Sequence, residues 1–149
     1  MNIKDSTFLV TGGSAGIGKA TAKLLIEKGG KVTITGRDKS KLEKVAKEIG
    51  AFPIHADVAV ETNVHKTYEL FLKQFGKLDC LINNAGIGDA WNEITELDMK
   101  AFHKVYDVNV FGAALMASEA AKFFKKQKSG NIINIASTAA TKGFANGTV

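Results

Sequence analysis

Short apolar segments alternate with segments of helical periodicity along the chain, and this alternation restricts the fold more than any other feature. The apolar segments span residues 7–11, 31–35, 51–55, 78–82 and 131–136. Between them, apolar side chains recur at the 3.6-residue spacing of an amphipathic helix, in residues 17–28, 42–49, 60–75 and about 98–126. The pattern therefore predicts five strands alternating with helices.

Four of the five predicted strands are nearly all apolar, which indicates strands that are buried on both faces of a sheet. Helices between such strands cover both faces, and right-handed crossovers make the strands parallel. The predicted fold class is therefore α/β, a doubly wound parallel sheet. Pro53 removes a backbone donor and predicts that the third strand lies at an edge. Ligands of such sheets bind at the carboxyl ends of the strands.

Length and composition narrow the class of protein. The 149 residues suit one domain, predicted to span residues 1–149. With 45% hydrophobic and 23% charged residues, the chain has the composition of an ordinary globular domain, which excludes disordered and fibrous classes. Cys80 is the single cysteine, so no internal disulfide forms. No apolar run approaches the ~20 residues that span a membrane. We therefore expect a cytoplasmic protein with no membrane partner.

The net charge of +5 is consistent with an anionic ligand. Basic residues alternate with acidic ones in residues 38–48, and a second group at residues 122–128 complements the negative end of the long helix. No regular alternation of basic and aromatic residues supports nucleic-acid binding, so nucleic acid is not an expected partner.

Two residues can cap the second helix. Asp38 or Ser40 can accept a hydrogen bond from a free N–H group of the first turn. Ser40 and Glu43 also have the S-x-x-E spacing of a capping box, in which each side chain satisfies a backbone donor near the other.

The loop between the first strand and the first helix reads TGGSAGIG over residues 11–18. Gly12 permits a tight turn, Gly16 lets the backbone approach a pyrophosphate, and Gly18 lets helix and strand pack closely. Free N–H groups and the dipole at the helix start attract phosphate. We therefore expect this loop to bind a dinucleotide through Gly12, Ser14, Gly16, Ile17 and Gly18.

Four more motifs follow in order along the chain. They are Asp57-Val58 after the third strand, NNAG at residues 83–86 after the fourth, Asn109 within YDVNV at residues 106–110, and Ser137 at the end of GNIINIAS at residues 130–137. Together with the TGxxxGxG pattern of the first loop, this series resembles the short-chain dehydrogenase/reductase family, in its compact-chain branch, over all 149 residues.

The resemblance implies an oxidoreductase that transfers a hydride between a nicotinamide cofactor and a small-molecule carbonyl or alcohol substrate. It implies that five of the family's usual seven strands are present in this chain. It assigns Ser137 to the substrate oxygen and Asn109 to a proton path through bound water, as catalytic residues. Beyond the first loop, it assigns cofactor contacts to Asp57, which lies against the adenine ring, and to Val58, Asn84, Ala85 and Gly86.

The family's proton-transferring tyrosine and its lysine, in the pattern Y-x-x-x-K, have no match in these residues. Neither Tyr68 nor Tyr106 is followed by a lysine four residues later. By the family's spacing after Ser137, the tyrosine is expected at the first position beyond Val149. We therefore expect a C-terminally incomplete chain that is inactive alone. The alternative interpretation is a non-catalytic dinucleotide-binding domain.

Nucleotide choice is read just after the second strand. A carboxylate there favours NAD by accepting hydrogen bonds from the ribose 2′-OH, but the resemblance places Gly36 at that position, followed by Arg37. A guanidinium can pair with a 2′-phosphate through charge-assisted bonds. Asp38 could serve the ribose instead of the helix cap, and Ala15 stands where some NADP enzymes have a basic residue. The prediction is NADP, with NAD as the less favoured cofactor.

The long helix from about Asp98 to about Lys126 is apolar on several faces, which predicts burial on several faces. One face can cover the sheet, and the resemblance implies that another packs against a second subunit. We therefore expect a homo-oligomer formed through this helix. The last strand, at residues 131–136, is expected to be an apolar edge prone to association. Trp91 is expected near the mouth of the site.

Overall fold

Strands and helices alternate along the chain as the hydrophobic pattern predicts. The computed structural model describes residues 2–88 and 93–142. The strands are β1 (Thr7–Val10), β2 (Lys31–Gly36), β3 (Phe52–His55), β4 (Cys80–Asn83) and β5 (Asn131–Asn134). The helices are α1 (Gly16–Glu27), α2 (Lys39–Ile49), α3 (Glu61–Phe75), α4 (Met99–Tyr106) and α5 (Ala113–Gln127), and single 3₁₀ turns occupy Ile94–Glu96 and Thr138–Ala140.

The five strands form one parallel sheet in the order β3-β2-β1-β4-β5. β2 and then β3 lie on one side of β1, and β4 and then β5 lie on the other side. This order confirms the doubly wound α/β prediction and creates a switch point between β1 and β4. It also places β3 at an edge, as Pro53 predicts.

Apolar side chains form one core on each face of the sheet. Phe8 and Val10 of β1 pack on the face covered by Leu25 of α1 and Leu42 of α2. The intervening Leu9 packs on the opposite face, where α3 and α5 supply Val64, Tyr68, Phe71 and Met116. Because successive residues of a strand point to opposite faces, every apolar residue of β1 is buried.

The cap of α2 resolves the choice between its two candidates. The Asp38 carboxylate accepts a hydrogen bond from the Lys41 N–H at 3.0 Å, which makes Asp38 the N-cap. The capping-box interpretation of Ser40 and Glu43 is wrong, because Ser40 lies within the first turn and donates its hydroxyl hydrogen to Asp38 at 3.0 Å. Gly50 ends the helix with a φ of +78°.

The predicted long helix is helical throughout but is not one uninterrupted α-helix. Between α4 and α5, residues Asp107–Gly112 form a π-helical segment, in which the chain winds more widely. Such segments occur often at functional sites. This one carries Asn109, whose contacts are described below.

The last strands differ from their predicted limits. β4 extends to Asn83, which pairs in register with Asn134, so the first residue of the NNAG motif belongs to the strand and not to the loop after it. All four residues of β5 are exposed, in contrast to the buried residues of β1 and β4. The expected apolar edge is therefore present, with Ile132 38% and Ile133 45% exposed.

Candidate functional site

The glycine-rich turn connects β1 to α1 at the carboxyl edge of the sheet. Gly12 has a φ of +67°, and a Cβ at this position would lie 2.9 Å from the Ala85 Cα. Gly16 has a φ of +50°, and, apart from its chain neighbours and the backbone of α1, no heavy atom of the described residues lies within 4 Å of the position that a Cβ would take. The N-cap of α1, Ala15, supplies no side-chain hydrogen bond. The first N–H groups of α1 therefore have no side-chain cap, and the space beside Gly16 is open, an arrangement that suits an anionic group.

Asn84 ties the glycine-rich turn to the loop after β4. Its side-chain amide donates to the carbonyl oxygens of Thr11 at 2.9 Å and Gly12 at 3.3 Å. A Cβ on Gly18 would collide with this amide and would lie 2.6 Å from the Gly12 carbonyl oxygen. Gly18 was predicted to permit close packing of helix and strand. Its close neighbours are instead the Asn84 side chain and the turn, because Asn84 fills the space between the two loops.

Between these loops and the ends of β2 and β3 lies a cleft of about 250 Å³. Seven of the predicted cofactor residues line it: Gly12, Ser14, Arg37, Asp57, Val58, Ala85 and Gly86. Gly16, Ile17 and Gly18 do not line it, since they belong to the first turn of α1 beside the cleft. Ile17 is 64% exposed.

The end of β2 forms one wall of this cleft. A Cβ on Gly36 would lie 3.0 Å from the Ser14 hydroxyl oxygen, so Ser14 occupies the space beside the position where an acidic side chain would stand. Arg37 is exposed and, among residues 2–88 and 93–142, its guanidinium has no ion-pair partner. Hydrogen bonds from the Lys41 N–H and the Ser40 hydroxyl lower the pKa of Asp38, which is committed to the helix cap.

Asp57 shapes the loop between β3 and α3. Its carboxylate accepts a hydrogen bond from the Ala59 N–H at 3.0 Å, and its own N–H donates to the Asn63 side chain at 3.2 Å. These bonds close a turn that presents Asp57 and the neighbouring Val58 to the cleft. One carboxylate oxygen of Asp57 thus supports the turn, and the other, Oδ2, is the one that can face a ligand.

Asn109 holds the loop after β4 from the opposite side. Its side-chain oxygen accepts from the Ile87 N–H at 2.9 Å, and its side-chain nitrogen donates to the Ile87 carbonyl at 2.8 Å. The π-helical segment aims Asn109 at this loop. With both ends of its amide bonded to Ile87, the Asn109 side chain holds the backbone of the loop after β4.

A second, larger cavity of about 680 Å³ lies beyond this loop and contains both residues predicted to be catalytic. Asn109 lines one side, and Ser137 lines the other, just after β5. The Ser137 hydroxyl oxygen accepts a hydrogen bond from the Ala139 N–H at 3.1 Å and caps a 3₁₀ turn. Ala85, Gly86 and Ile87 line both cavities, so the two adjoin along the loop after β4.

Neither tyrosine belongs to this site. Tyr68 is buried between α3 and α5, and its hydroxyl donates to the Met116 carbonyl at 2.5 Å. Burial, followed by the nearby Glu119 carboxylate, raises the pKa of Tyr68. Tyr106 lies on α4, where it stacks on Phe102 with ring centroids 4.6 Å apart. The site residues among the described parts of the chain therefore include no tyrosine.

Two residues that shape the site were not assigned a role from the sequence. The buried Thr11 hydroxyl accepts hydrogen bonds from the N–H groups of Asn84 at 2.9 Å and Ala85 at 3.0 Å. The position of Thr11, a polar residue at the end of an apolar strand, was the sequence signal that could have indicated this role. Gly112 is the second, because a Cβ there would lie 2.9 Å from the Val58 carbonyl oxygen.

Other sequence expectations are limited by the described part of the chain. Trp91 lies outside the described residues. Within residues 2–88 and 93–142, no group of three or more His, Cys, Asp or Glu side chains is arranged to hold a metal ion. In the same ranges, every helix is too short or too polar to cross a bilayer. Burial raises the pKa of the Cys80 thiol to about 11, so this cysteine is a packing residue.

The sequence is similar to those of known proteins. The chain is 35% identical over 142 residues to zerumbone synthase from Zingiber zerumbet, an alignment that covers 92% of this chain and 53% of that protein. It is 36% identical over 141 residues to (+)-borneol dehydrogenase 2 from Salvia officinalis, with 91% and 50% covered. The chain thus spans about half the length of these curated relatives.

Solved structures agree in three dimensions. The crystal structure of 3-ketoacyl-(acyl-carrier-protein) reductase from Brucella melitensis, complexed with NADH, superposes with a TM-score of 0.92 at 36% identity, over 97% of this chain and 62% of that one. NAD⁺-bound xylitol dehydrogenase superposes with a TM-score of 0.91 at 32% identity, over 99% and 58%. The family model for short chain dehydrogenases matches residues 6–149. The chain belongs to the short-chain dehydrogenase family.

Proposed function

We propose that this chain supplies the dinucleotide site and part of the catalytic site of an oxidoreductase that transfers a hydride between NADP(H) and a small-molecule carbonyl or alcohol substrate. The observation that carries this proposal is the pair of adjoining cavities at the switch point between β1 and β4. One is lined by the glycine-rich turn and the ends of β2 and β3, and the other contains Asn109 and Ser137.

The residues present fit a dinucleotide. A Cβ at Gly12 or Gly18 would collide with the loop after β4, whereas the space at Gly16 is open, as a pyrophosphate beside the helix start requires. Asp57 and Val58 flank the adenosine end, and Ala85 and Gly86 line the passage to the second cavity. The NADH and NAD⁺ complexes of the two similar structures support a nicotinamide dinucleotide. When bound, its nicotinamide ring supplies or accepts the hydride.

The proposed preference for NADP rests on the end of β2. No carboxylate at position 36 competes for the ribose hydroxyls, because this residue is Gly36 and the adjacent space holds the Ser14 hydroxyl. Asp38 is engaged in capping α2. A 2′-phosphate at this point would meet the Ser14 hydroxyl and the Arg37 guanidinium, both of which are donors suited to phosphate.

Ser137 and Asn109 are assigned different roles in the second cavity. Because the Ser137 oxygen accepts from the Ala139 N–H, its hydroxyl hydrogen is the group that we assign to the substrate oxygen. Asn109 fixes the backbone of Ile87, a residue that lines both cavities. Small side chains on the α5 side of the second cavity, at Ala113, Ala114 and Ala117, leave room for a substrate.

Proton transfer is not assigned to Tyr68 or Tyr106. Tyr68 is buried with a raised pKa, and Tyr106 lies outside both cavities. We therefore expect that the 149 residues alone do not turn over carbonyl substrates. The absence of a tyrosine from the described site is also what favours the second candidate function, a dinucleotide-binding domain without catalysis.

Replacement of Arg37 by alanine tests the cofactor assignment. Charge-assisted hydrogen bonds contribute roughly 1.5–3 kcal/mol, so Arg37→Ala is expected to weaken NADPH binding by about 10- to 100-fold and to change NADH binding little. Lys44→Ala, which removes an equal charge from the exposed face of α2, is the matched control and is expected to bind both cofactors normally. Dissociation constants from calorimetry measure the effect. An equal loss for NADPH and NADH would show that Arg37 does not read the 2′-phosphate.

A further inference from the structure

The position of Arg37 is determined by contacts on both sides of its Cα. The peptide plane before Arg37 carries the Gly36 carbonyl, which accepts a hydrogen bond from the Ala56 N–H at 3.2 Å. The plane after it carries the Arg37 carbonyl, which lies 2.8 Å from the His55 Nε2 atom. Since a carbonyl oxygen only accepts, the Nε2–H group of His55 is the donor. Both planes that flank the Arg37 Cα are therefore bonded to the end of β3.

One of these two bonds is made by the backbone and the other by a side chain, so only the second depends on the identity of the residue. The Ala56 bond continues the parallel pairing of β2 and β3, which places Gly36 opposite His55, and any residue at position 56 other than proline can make it. The His55 bond is made by a side chain and exists only because the edge strand ends in histidine. On the other side of Arg37, the Asp38 cap fixes the next residue to α2. The arginine is thus held between a strand and a helix.

The geometry points to His55 as a positioning residue for nucleotide selectivity, a role that rests on the proposed function of Arg37. Its ring is exposed at the rim of the sheet and does not line the dinucleotide cleft, so it acts through the Arg37 backbone. Arginine loses much rotamer freedom when its side chain is held against a phosphate. A fixed backbone directs that side chain toward the 2′ position beside Ser14, and a loose one lets it point into solvent. NADH has no 2′-phosphate, so its binding does not depend on this alignment of the arginine.

Replacement of His55 separates this role from general support of the fold. Loss of one neutral hydrogen bond corresponds to about a fivefold effect, so His55→Ala is expected to raise the Kd for NADPH by about that factor and the Kd for NADH by less than about twofold. His55→Gln places an amide donor close to the position of Nε2 and is expected to restore NADPH binding. His103→Gln, on an exposed histidine of α4, is the control and is expected to change neither constant.

A double-mutant cycle with adenosine 2′,5′-bisphosphate as the probe decides the mechanism, because this compound carries the 2′-phosphate without the nicotinamide. If His55 acts through Arg37, then His55→Ala adds no further loss in the Arg37→Ala background. Additive losses, or equal losses for NADPH and NADH, would overturn the inference. A selective effect of Arg37→Ala with no effect of His55→Ala would overturn it and leave the proposed function intact. No selective effect of Arg37→Ala would instead remove the assignment of Arg37.

Discussion

Thr11 and Asn84 connect the glycine-rich turn to the loop after β4, which lines both cavities. The Thr11 hydroxyl accepts from two successive backbone N–H groups of the loop after β4, and the Asn84 amide returns two bonds to the glycine-rich turn. Buried polar groups of this kind are costly when unpaired and specific when paired. At the scale of single residues, the site is therefore positioned by side chains that do not themselves need to touch a ligand.

Gly36→Asp tests the reading of the 2′ position directly. The φ of Gly36 lies outside the left-handed region, and the nearest obstacle to a Cβ is the Ser14 hydroxyl at 3.0 Å, which can rotate away. The new carboxylate would repel a 2′-phosphate and accept from the ribose hydroxyls, so NADPH is expected to bind about 10- to 100-fold more weakly and NADH more tightly.

Gly36→Asn is the control for this change, since it adds the same volume without the charge. It is expected to weaken NADPH much less than Gly36→Asp does, in parallel titrations of both cofactors. Equal effects of the two variants would mean that steric displacement of Ser14, and not charge, accounts for the result.

At the scale of elements, periodicity predicted the five strands and the helices α1, α2 and α3 to within a few residues, because the apolar spacing is strong and glycines mark several ends. It did not predict the π-helical segment, since Asn109 and Gly112 reveal their partners Ile87 and Val58 only in the folded chain. The cap of α2 was left open by the sequence for a related reason. Asp38 and Ser40 are both good caps locally, and only the folded backbone distinguishes them.

The end of α5 offers a test of element stability. Lys128 follows α5 with a φ of +56°, a left-handed conformation that favours glycine. Lys128→Gly is expected to stabilise the fold by about 0.5–1 kcal/mol, measured as the free energy of unfolding in urea. Lys28→Gly is the matched control at the end of α1. Its φ of −89° involves no such strain, so that substitution is expected to be neutral or destabilising. A loss of stability in Lys128→Gly would contradict the local geometry.

At the scale of the whole molecule, the alternation of strands and helices predicted the layers, the direction of the strands and the edge at which the site lies. The sequence alone could not place the His55 ring against the Arg37 carbonyl, because that contact depends on the register of β2 with β3. It also could not say how much of the long helix remains exposed. The structure shows Val110 46% and Phe111 63% exposed on the π-helical segment, and three isoleucines exposed at or just after β5, Ile132, Ile133 and Ile135.

We propose that this exposed surface mediates association between copies of the chain, in keeping with the oligomer predicted through the long helix. Phe111→Glu is expected to shift the mass measured by light scattering toward that of one 15.9 kDa chain, because burial of a phenylalanine contributes roughly 1.5–3 kcal/mol. Glu93→Gln, at an exposed acidic residue, serves as the control and is expected to leave the mass unchanged. A wild-type chain that is a stable monomer at high concentration would contradict the proposal.

The proposed cofactor site depends most on the binding of a pyrophosphate at the start of α1, and a pair of glycine variants tests this most directly. Gly16 and Gly76 both have positive φ, at +50° and +76°, and at both positions the space around a Cβ is open among the described residues. Valine therefore brings similar backbone strain at either site, but only Gly16 lies beside the proposed pyrophosphate, since Gly76 ends α3. In calorimetric titrations, Gly16→Val is expected to abolish binding of NADPH and NADH, and Gly76→Val to retain both. Unchanged binding by a folded Gly16→Val variant would contradict the placement of the cofactor.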